Sequence, residues 1–281
     1  EYRAIIEHDG KTKTGDIKTF ETNNAILINS IEDLYNIRYS LNDTYVLNKD
    51  LDFCSASDYE DSENGDVKIS ELCSSETSGN GWEPIKDNQT YFSGILDGNG
   101  YEIKNLYIGD EDGGYKGLFQ ELDNAIIRNL GLTDVEINSE IYVSSISAVT
   151  NNKTIIENCY STGNIKGYAY LGGLVGINNG TINNSYSLVN MEGERIIGSI
   201  TGINNGIINK VYVASYISAN DFYGSISGVN EGLIDDSFFD KIVFGDDIGI
   251  GEDSGTSDVT ALTTNNMKKY STFKNKNWDI V

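Results

Sequence analysis

A repeated unit of 26 residues is the feature of this sequence that most restricts its fold. The segment GGLVGINNGTINNSYS at 172–187 returns as GSITGINNGIINKVYV at 198–213 and as GSISGVNEGLIDDSFF at 224–239. Self-similarity with a period of about 20–50 residues is typical of solenoids and propellers. Two columns keep the 26-residue step through three successive intervals: Ile156, Ile182, Ile208 and Ile234, and Tyr160, Tyr186, Tyr212 and Phe238.

The pattern inside each unit favours a solenoid made of strands. Apolar and polar residues alternate, as in TINNSYS at 181–187, and this period is that of β-strands and not of helices. One unit has room for a few short strands, whereas a propeller blade needs about 40 residues. We therefore predict an all-β chain that forms a right-handed parallel β-helix, with coils stacked about 4.8 Å apart.

Stacking of the coils predicts which residues meet. The Ile and Tyr/Phe columns are expected to point inward, and Ile103 and Ile127 are expected to extend the Ile column toward the N-terminus. Asn178, Asn204 and Asn230 form a column of amides that we expect to hydrogen-bond from coil to coil. Two further columns recur: Leu118, Ile146, Leu174, Ile200 and Ile226, with two steps of 28 residues and then two of 26, and Tyr170, Ile196 and Phe222, with steps of 26.

The non-repetitive segments suggest how the ends of the stack are closed. Ser30 with Asp33 three residues later predicts the start of a capping helix over 30–37. Cys54 and Cys73 bracket an insertion and are candidates for a disulfide, which would leave Cys159 free. The predicted organisation is an N-terminal extension (1–26) and one β-helix domain (27–281), comprising capping helix and first strand (27–53), acidic insertion (54–80), coils (81–243) and C-terminal loop and cap (244–281).

Charge and hydropathy exclude some partners. The net charge of −23 repels phosphate backbones, so we expect no nucleic-acid partner. No apolar run approaches the roughly 20 residues that span a bilayer, so no membrane insertion is expected. The opening EYRAIIEHDG resembles neither a signal peptide nor an initiator segment, and we interpret it as the start of a mature or excised piece.

The stretch Gly173-Leu174-Val175-Gly176 resembles the GLUG repeat of large extracellular bacterial surface proteins. Similar landmarks flank it, among them INSIEDLYNIR, GWEPI, FSGILDGNGYEIKNLYI and MKKYSTFKNKNWDI, so the resemblance covers about residues 27–281. It implies a β-helix in a secreted or surface-attached protein. Such regions occur in adhesins and in the non-catalytic part of some immunoglobulin-A-cleaving metallopeptidases, which makes an accessory region of a surface metallopeptidase an alternative.

Catalytic motifs are scarce in this sequence. His8 is the one histidine, so H-E-x-x-H zinc sites and Ser-His or Cys-His schemes are ruled out within it. A polysaccharide lyase or glycosidase is the alternative enzyme, since paired carboxylates are its main requirement. The candidates are Asp97, Asp110, Asp112, Asp235 and Asp236, although scattered aspartates are ordinary on an acidic surface.

The favoured function is therefore a non-catalytic, adhesin-like module that binds a host protein or glycan or acts as a spacer. Tyr142, Tyr168 and Tyr223 are candidate ligand contacts, because they lie near variable turns and aromatic rings stack on sugars. The insertion and the loop 244–258 are its candidate non-repetitive binding surfaces. EDSENGDVKISE (60–71) resembles a calcium loop, with Glu60, Asn64, Asp66 and Glu71 as candidate ligands, although a solvated acidic loop is the favoured interpretation of this segment.

Overall fold

The computed structural model of the protein describes residues 5–8, 11–14, 25–60, 68–73, 80–87, 90–109, 113–274 and 278. They form a β-solenoid of about six turns, built mostly from parallel strands, which confirms the predicted fold class. Each full turn contributes strands to four stacks, and equivalent strands of successive turns pair directly. Outside the solenoid, Ile5–His8 and Lys11–Thr14 form a separate antiparallel hairpin.

The first and second stacks belong to one continuous sheet. The first contains Ile26–Ile28, Thr44–Leu47, Ile95–Asp97, Ile126–Arg128, Ile155–Glu157, Thr181–Asn183 and Ile207–Asn209. The second contains Leu51–Asp52, Glu102–Lys104, Tyr107–Ile108, Gly131–Asn138, Tyr160–Lys166, Tyr186–Glu192, Tyr212–Val213 and Ile217–Ser218. Leu233–Asp240 and Thr256–Leu262 run through both stacks.

The third and fourth stacks complete each turn. The third contains Gly114–Lys116, Ile141–Ser144, Ala169–Gly172, Arg195–Gly198 and Asp221–Gly224. The fourth contains Phe119–Leu122, Ser147–Thr150, Val175–Asn178, Thr201–Asn204, Ser227–Asn230 and Ile250–Asp253. The α-helices are Ile31–Asn36, Ile69–Leu72, Lys241–Phe244, Thr264–Met267 and Tyr270–Lys274, and the 3₁₀-helices are Ile37–Tyr39 and Ala56–Asp58.

The N-terminal helix begins where the sequence predicts it. The Ser30 hydroxyl accepts the Asp33 backbone N–H at 3.1 Å, and the Asp33 carboxylate accepts the Asn29 N–H at 2.8 Å. These two bonds satisfy N–H groups that have no partner within the helix. Ile31 and Leu34 on its inner side are fully buried, so the helix covers apolar surface at this end of the stack.

The interior isoleucine column is continuous from Ile127 to Ile234, and its members lie in direct register and are fully buried. The prediction that Ile103 belongs to it is wrong. Leu96 pairs with Ile127, whereas Ile103 pairs with Leu132 in the second stack. IKNLYI and IRNLGL have similar sequences but occupy different positions in their turns. Ile103 lies in a strand of the second stack, whereas Ile127 lies in a strand of the first stack.

The tyrosine column lies on the outer surface, and the prediction that it points inward is wrong. Ser161 and Ser187 are buried, whereas their neighbours Tyr160 and Tyr186 are half-buried. Because side chains alternate along a strand, a buried serine places the preceding tyrosine outside. The rings of Tyr160, Tyr186 and Tyr212 stack with centroids 4.7 Å apart, close to the coil spacing.

The asparagine column is confirmed as a buried hydrogen-bonded ladder. Asn178 Nδ2 donates to Asn204 Oδ1, and Asn204 Nδ2 donates to Asn230 Oδ1, both at 2.8 Å. Thr150 and Asp253 extend the ladder at its two ends, at 3.0 and 2.8 Å. The column from Leu118 to Ile226 is also fully buried, as predicted.

The segment 244–258, predicted as a loop, contributes a further coil. Ile250–Asp253 pairs with Ser227–Asn230, and Thr256–Leu262 pairs with Leu233–Asp240. Parallel pairing uses backbone groups and needs no repeat motif, so a search for repeated motifs does not detect this coil. Nearer the C-terminus, Phe273 and Trp278 contact the rings of Tyr212 and Phe238 on the outer surface. These two residues therefore cover the side of the solenoid, whereas the predicted cap would cover its end.

The cysteines follow the proposed pairing. Cys54 and Cys73 form a disulfide with a sequence separation of 19 residues, which ties the two sides of the insertion together. Cys159 is free and fully buried, and burial raises the pKa of its thiol to about 12. A thiol in this environment stays protonated and is unreactive.

Candidate ligand-binding groove

A groove of about 490 Å³ crosses four neighbouring coils on the outer surface of the second stack. Its walls and floor come from 136–138, 164–166, 190–192 and the pair Tyr216 and Ser218. These segments belong to consecutive coils, since Glu136 pairs with Asn164, Asn164 with Asn190, and Met191 with Ile217. The groove therefore runs along the stacking direction, across the strands.

Two columns of outward side chains line the groove. They alternate with Ile137, Ile165 and Met191, which point into the core and are buried. This alternation is the ordinary result of a strand with one face in the core and one in solvent. One column contains Glu136, Asn164, Asn190 and Tyr216, and the other contains Asn138, Lys166, Glu192 and Ser218; all eight are exposed.

A β-bulge in the strand Gly131–Asn138 precedes the groove. The register between Gly131–Asn138 and Tyr160–Lys166 shifts between Leu132 and Val135. Asp134 and Gly163 have left-handed φ angles of 55° and 123° at this point. A Cβ on Gly163 would lie 2.2 Å from the Val135 carbonyl oxygen, so the position requires glycine. A bulge bends its strand, so the groove residues 136–138 leave the bulge at an angle to the start of the strand.

The polar side chains of the groove are only partly engaged with one another. Lys166 Nζ lies 2.9 Å from Glu192 Oε1, in an exposed pair that adds little to stability. Asn190 Oδ1 accepts the Tyr216 backbone N–H at 3.2 Å, and the amide N–H groups of Asn190 donate to none of the described residues. Asn138 and Asn164 make no side-chain hydrogen bond to any residue that the structure describes.

Tyr216 is the aromatic residue of the groove. Its side chain is 57% exposed, and it has no ring contact within the described part of the chain. The adjacent Asn190 amide fixes its backbone but leaves the ring uncovered. An uncovered ring beside free amides can offer an apolar platform together with hydrogen-bond donors and acceptors.

The two glutamates of the groove occupy positions that are not adjacent on the sheet. Glu136 and Glu192 are separated by two coils and two strand positions, so their backbones lie about 12 Å apart. Carboxylate pairs of glycosidases lie roughly 5–10 Å apart. The side chains of Glu136 and Glu192 set the distance between their carboxylates, and the polysaccharide-active enzyme stays an alternative prediction.

The structure places the three predicted contact tyrosines in different environments. Tyr142 is stacked between Tyr115 and Tyr170 with centroid distances of 4.7 Å, so both faces of its ring are covered. The pKa of Tyr142 is raised, mainly because the residue is partly buried and secondly because Tyr170 and Tyr115 lie beside it. Tyr223 packs against the core and lies 6.2 Å from the Phe244 ring, whereas Tyr168 is 56% exposed, in a turn outside the groove lining.

The predicted calcium loop lies partly outside the described residues, which omit Asn64 and Asp66. Of its other two predicted ligands, Glu60 is exposed and its backbone N–H donates to Glu32 Oε2 at 2.9 Å. Glu71 lies in the helix Ile69–Leu72, with Lys68 Nζ 3.7 Å from its carboxylate. The calcium site stays a prediction.

The described carboxylates among the lyase candidates lie in two different kinds of surroundings. The Asp97 carboxylate accepts hydrogen bonds from Asn129, the Asn99 N–H and Arg128 at 2.8–3.0 Å. Burial raises the pKa of Asp97, but these bonds outweigh burial and the net pKa is lowered. Asp235, Asp236 and Asp258 bring carboxylate oxygens within 4.8 Å of one another near the surface. Asp110 and Asp112 lie outside the described residues.

Comparisons with known proteins place segments like this one in very long chains. The sequence is 33% identical over 161 residues to a protein of Evansella cellulosilytica that is named as a Gly-rich membrane protein, covering 56% of this chain and 16% of that one. It is 32% identical over 142 residues to halomucin of Haloquadratum walsbyi, covering 50% of this chain and 2% of halomucin. No family model matches the sequence.

The helices of the solenoid are short. In the described ranges, none has the length and apolar character required to cross a bilayer.

Proposed function

We propose that this chain is a non-catalytic β-solenoid module of an extracellular, surface-attached protein, adhesin-like in that it binds a ligand outside the cell. The observation that carries the proposal is the groove, an open surface that crosses four coils of a regular stack and is lined by polar side chains and one tyrosine. Buried ladders hold the coils in fixed register, so the groove-lining side chains keep fixed spacings. Solenoids commonly use extended surfaces of this kind for binding.

Several observations support the location. The two relatives are named as a membrane protein and as a halomucin, and the matched segments form a small part of each. The Cys54–Cys73 disulfide is typical of an oxidising compartment. Membership of the GLUG-repeat family of bacterial surface proteins is part of the proposal, supported by the Gly173-Leu174-Val175-Gly176 motif and its flanking landmarks.

Arrays of glycans and proteins, probed with the folded chain, test the binding function. We expect retention of a subset of probes and no release of reducing sugar from any polysaccharide. Asn164→Ala should weaken that binding, because its exposed amide lines the groove, whereas Asn152→Ala changes an exposed asparagine outside it. Catalytic release of sugar, or equal binding by both variants, would contradict the proposal. Antibodies against the chain should label intact cells, and labelling only after lysis would contradict the surface location.

A further inference from the structure

We infer that the groove binds an extended, neutral polysaccharide that lies along the stacking direction of the coils. This inference rests on the proposed function and names the ligand class of the same site. The shape of the groove is the first observation. It crosses four coils, so it suits a polymer with a repeating backbone better than a compact ligand.

The spacing of the groove fits such a polymer. Equivalent side chains recur once per coil, about every 4.8 Å. Each sugar of an extended β-linked pyranose chain advances the chain by a similar distance. Successive sugars can therefore meet Glu136, Asn164, Asn190 and Tyr216 in turn, and the groove has room for about four sugars.

The lining chemistry also fits sugars. Among the described residues, the side-chain amides of Asn138 and Asn164 and the side-chain N–H groups of Asn190 have no hydrogen-bond partner, and Ser218 adds a hydroxyl. These groups both donate and accept hydrogen bonds, as the hydroxyl groups of a sugar chain require. Tyr216, with its exposed ring, supplies the apolar platform that the face of a pyranose ring needs.

The charge of the groove selects against acidic polymers. Glu136 and Glu192 face one cation, Lys166, which is already paired with Glu192. The whole chain has a net charge of −23, and its negative field repels uronates and sulfated sugars. A neutral chain meets no such repulsion.

An extended peptide is a poorer fit than a glycan. Peptides that bind sheets commonly add a strand to a free edge. The floor of the groove is the face of a sheet, where backbone groups already pair between coils, as in Tyr160–Lys166 with Tyr186–Glu192. The apolar residues of the floor, Ile165 and Met191, are buried and offer no pockets to peptide side chains.

Calorimetric titration of the chain with cello-, xylo- and manno-oligosaccharides, from disaccharide to hexasaccharide, tests the inference. For at least one series, affinity should rise up to about four sugars and then level off. Polygalacturonate should not bind at low ionic strength. Tyr216→Ala should weaken binding about tenfold or more, as the loss of an aromatic anchor contact commonly does. Tyr168→Ala is the matched control, because this tyrosine is equally exposed but lies outside the groove.

The outcomes separate the ligand class from the broader function. Stronger binding of polygalacturonate, or equal loss in the Tyr216 and Tyr168 variants, would overturn the neutral-glycan inference. If no neutral series binds but Tyr216→Ala and Asn164→Ala abolish retention of a protein probe, the ligand class is wrong and the binding module stands. If neither variant changes any binding, both proposals fail. Circular dichroism melts of each variant verify that the solenoid is intact.

Discussion

Replacement of Asn204 by alanine tests whether the buried amide ladder holds the coils together. Asn204 is fully buried, accepts a hydrogen bond from Asn178 and donates one to Asn230, both at 2.8 Å. Each such bond contributes about 1 kcal/mol net, and a buried polar group left without its partner costs about 1–3 kcal/mol. After substitution, Asn178 Nδ2 retains only acceptors at 3.4 Å, the Gly180 and Ile207 carbonyls. We expect a loss of about 2–4 kcal/mol in the free energy of unfolding.

Asn205 supplies the matched control, because it is the next residue and belongs to a second, exposed ladder. Its side chain donates one hydrogen bond, to Asn179 Oδ1 at 2.9 Å, in contact with solvent. Asn205→Ala should therefore cost less than about 1 kcal/mol. Urea unfolding, followed by circular dichroism and by tryptophan fluorescence, measures both variants, and coincident transitions are required because repeat stacks can unfold in parts. Equal losses in the two variants would refute the role assigned to the buried ladder.

Three further predictions concern titration and cysteine chemistry. Burial raises the pKa of the Tyr212 hydroxyl from 10.0 to about 12. The protonated hydroxyl therefore contributes its full stabilisation below pH 10, and this contribution is lost as the pH rises to about 12. Tyr212→Phe should reduce the fall in Tm at alkaline pH. Reduction of Cys54–Cys73 should lower stability by up to about 3 kcal/mol, measured as a lower Tm that a Cys54→Ser/Cys73→Ser variant reproduces without reductant. Cys159 should react with maleimide only after denaturation, and labelling of the native chain would contradict its burial.

The interior of the fold was predictable because it obeys a strict spacing. From Ile156 to Ile234 each member of the core column is 26 residues from the next, so the register follows directly from the sequence. The prediction failed where corners change the strand phase. Tyr160 and Ile156 share the same period, yet a corner between them places the tyrosine outside and the isoleucine inside. Period alone reports which residues stack, and not which side of the strand they occupy.

The groove was not predictable by the same reasoning. Its members are polar, and they change from coil to coil, as Glu136, Asn164, Asn190 and Tyr216 do in one column. A search for repeating apolar residues passes over such a column. The positions of Tyr168 and Tyr142 near turns predict exposed aromatic rings. The structure shows that the Tyr142 ring is covered on both faces by neighbouring tyrosines.

The contrast between the two kinds of column explains where a solenoid can hold a specific site. An inward position must match the residues above and below it, because a change in volume or polarity opens a cavity or leaves a polar group unpaired. Ile156, Ile182 and Ile208 are identical for this reason. Outward side chains can also stack, as the rings of Tyr160, Tyr186 and Tyr212 do. A solvated outward position carries no such restriction, so each coil can place a different chemical group at the same spacing. Interior repetition therefore sets the spacing of the groove, and the variable outer residues set what that spacing binds.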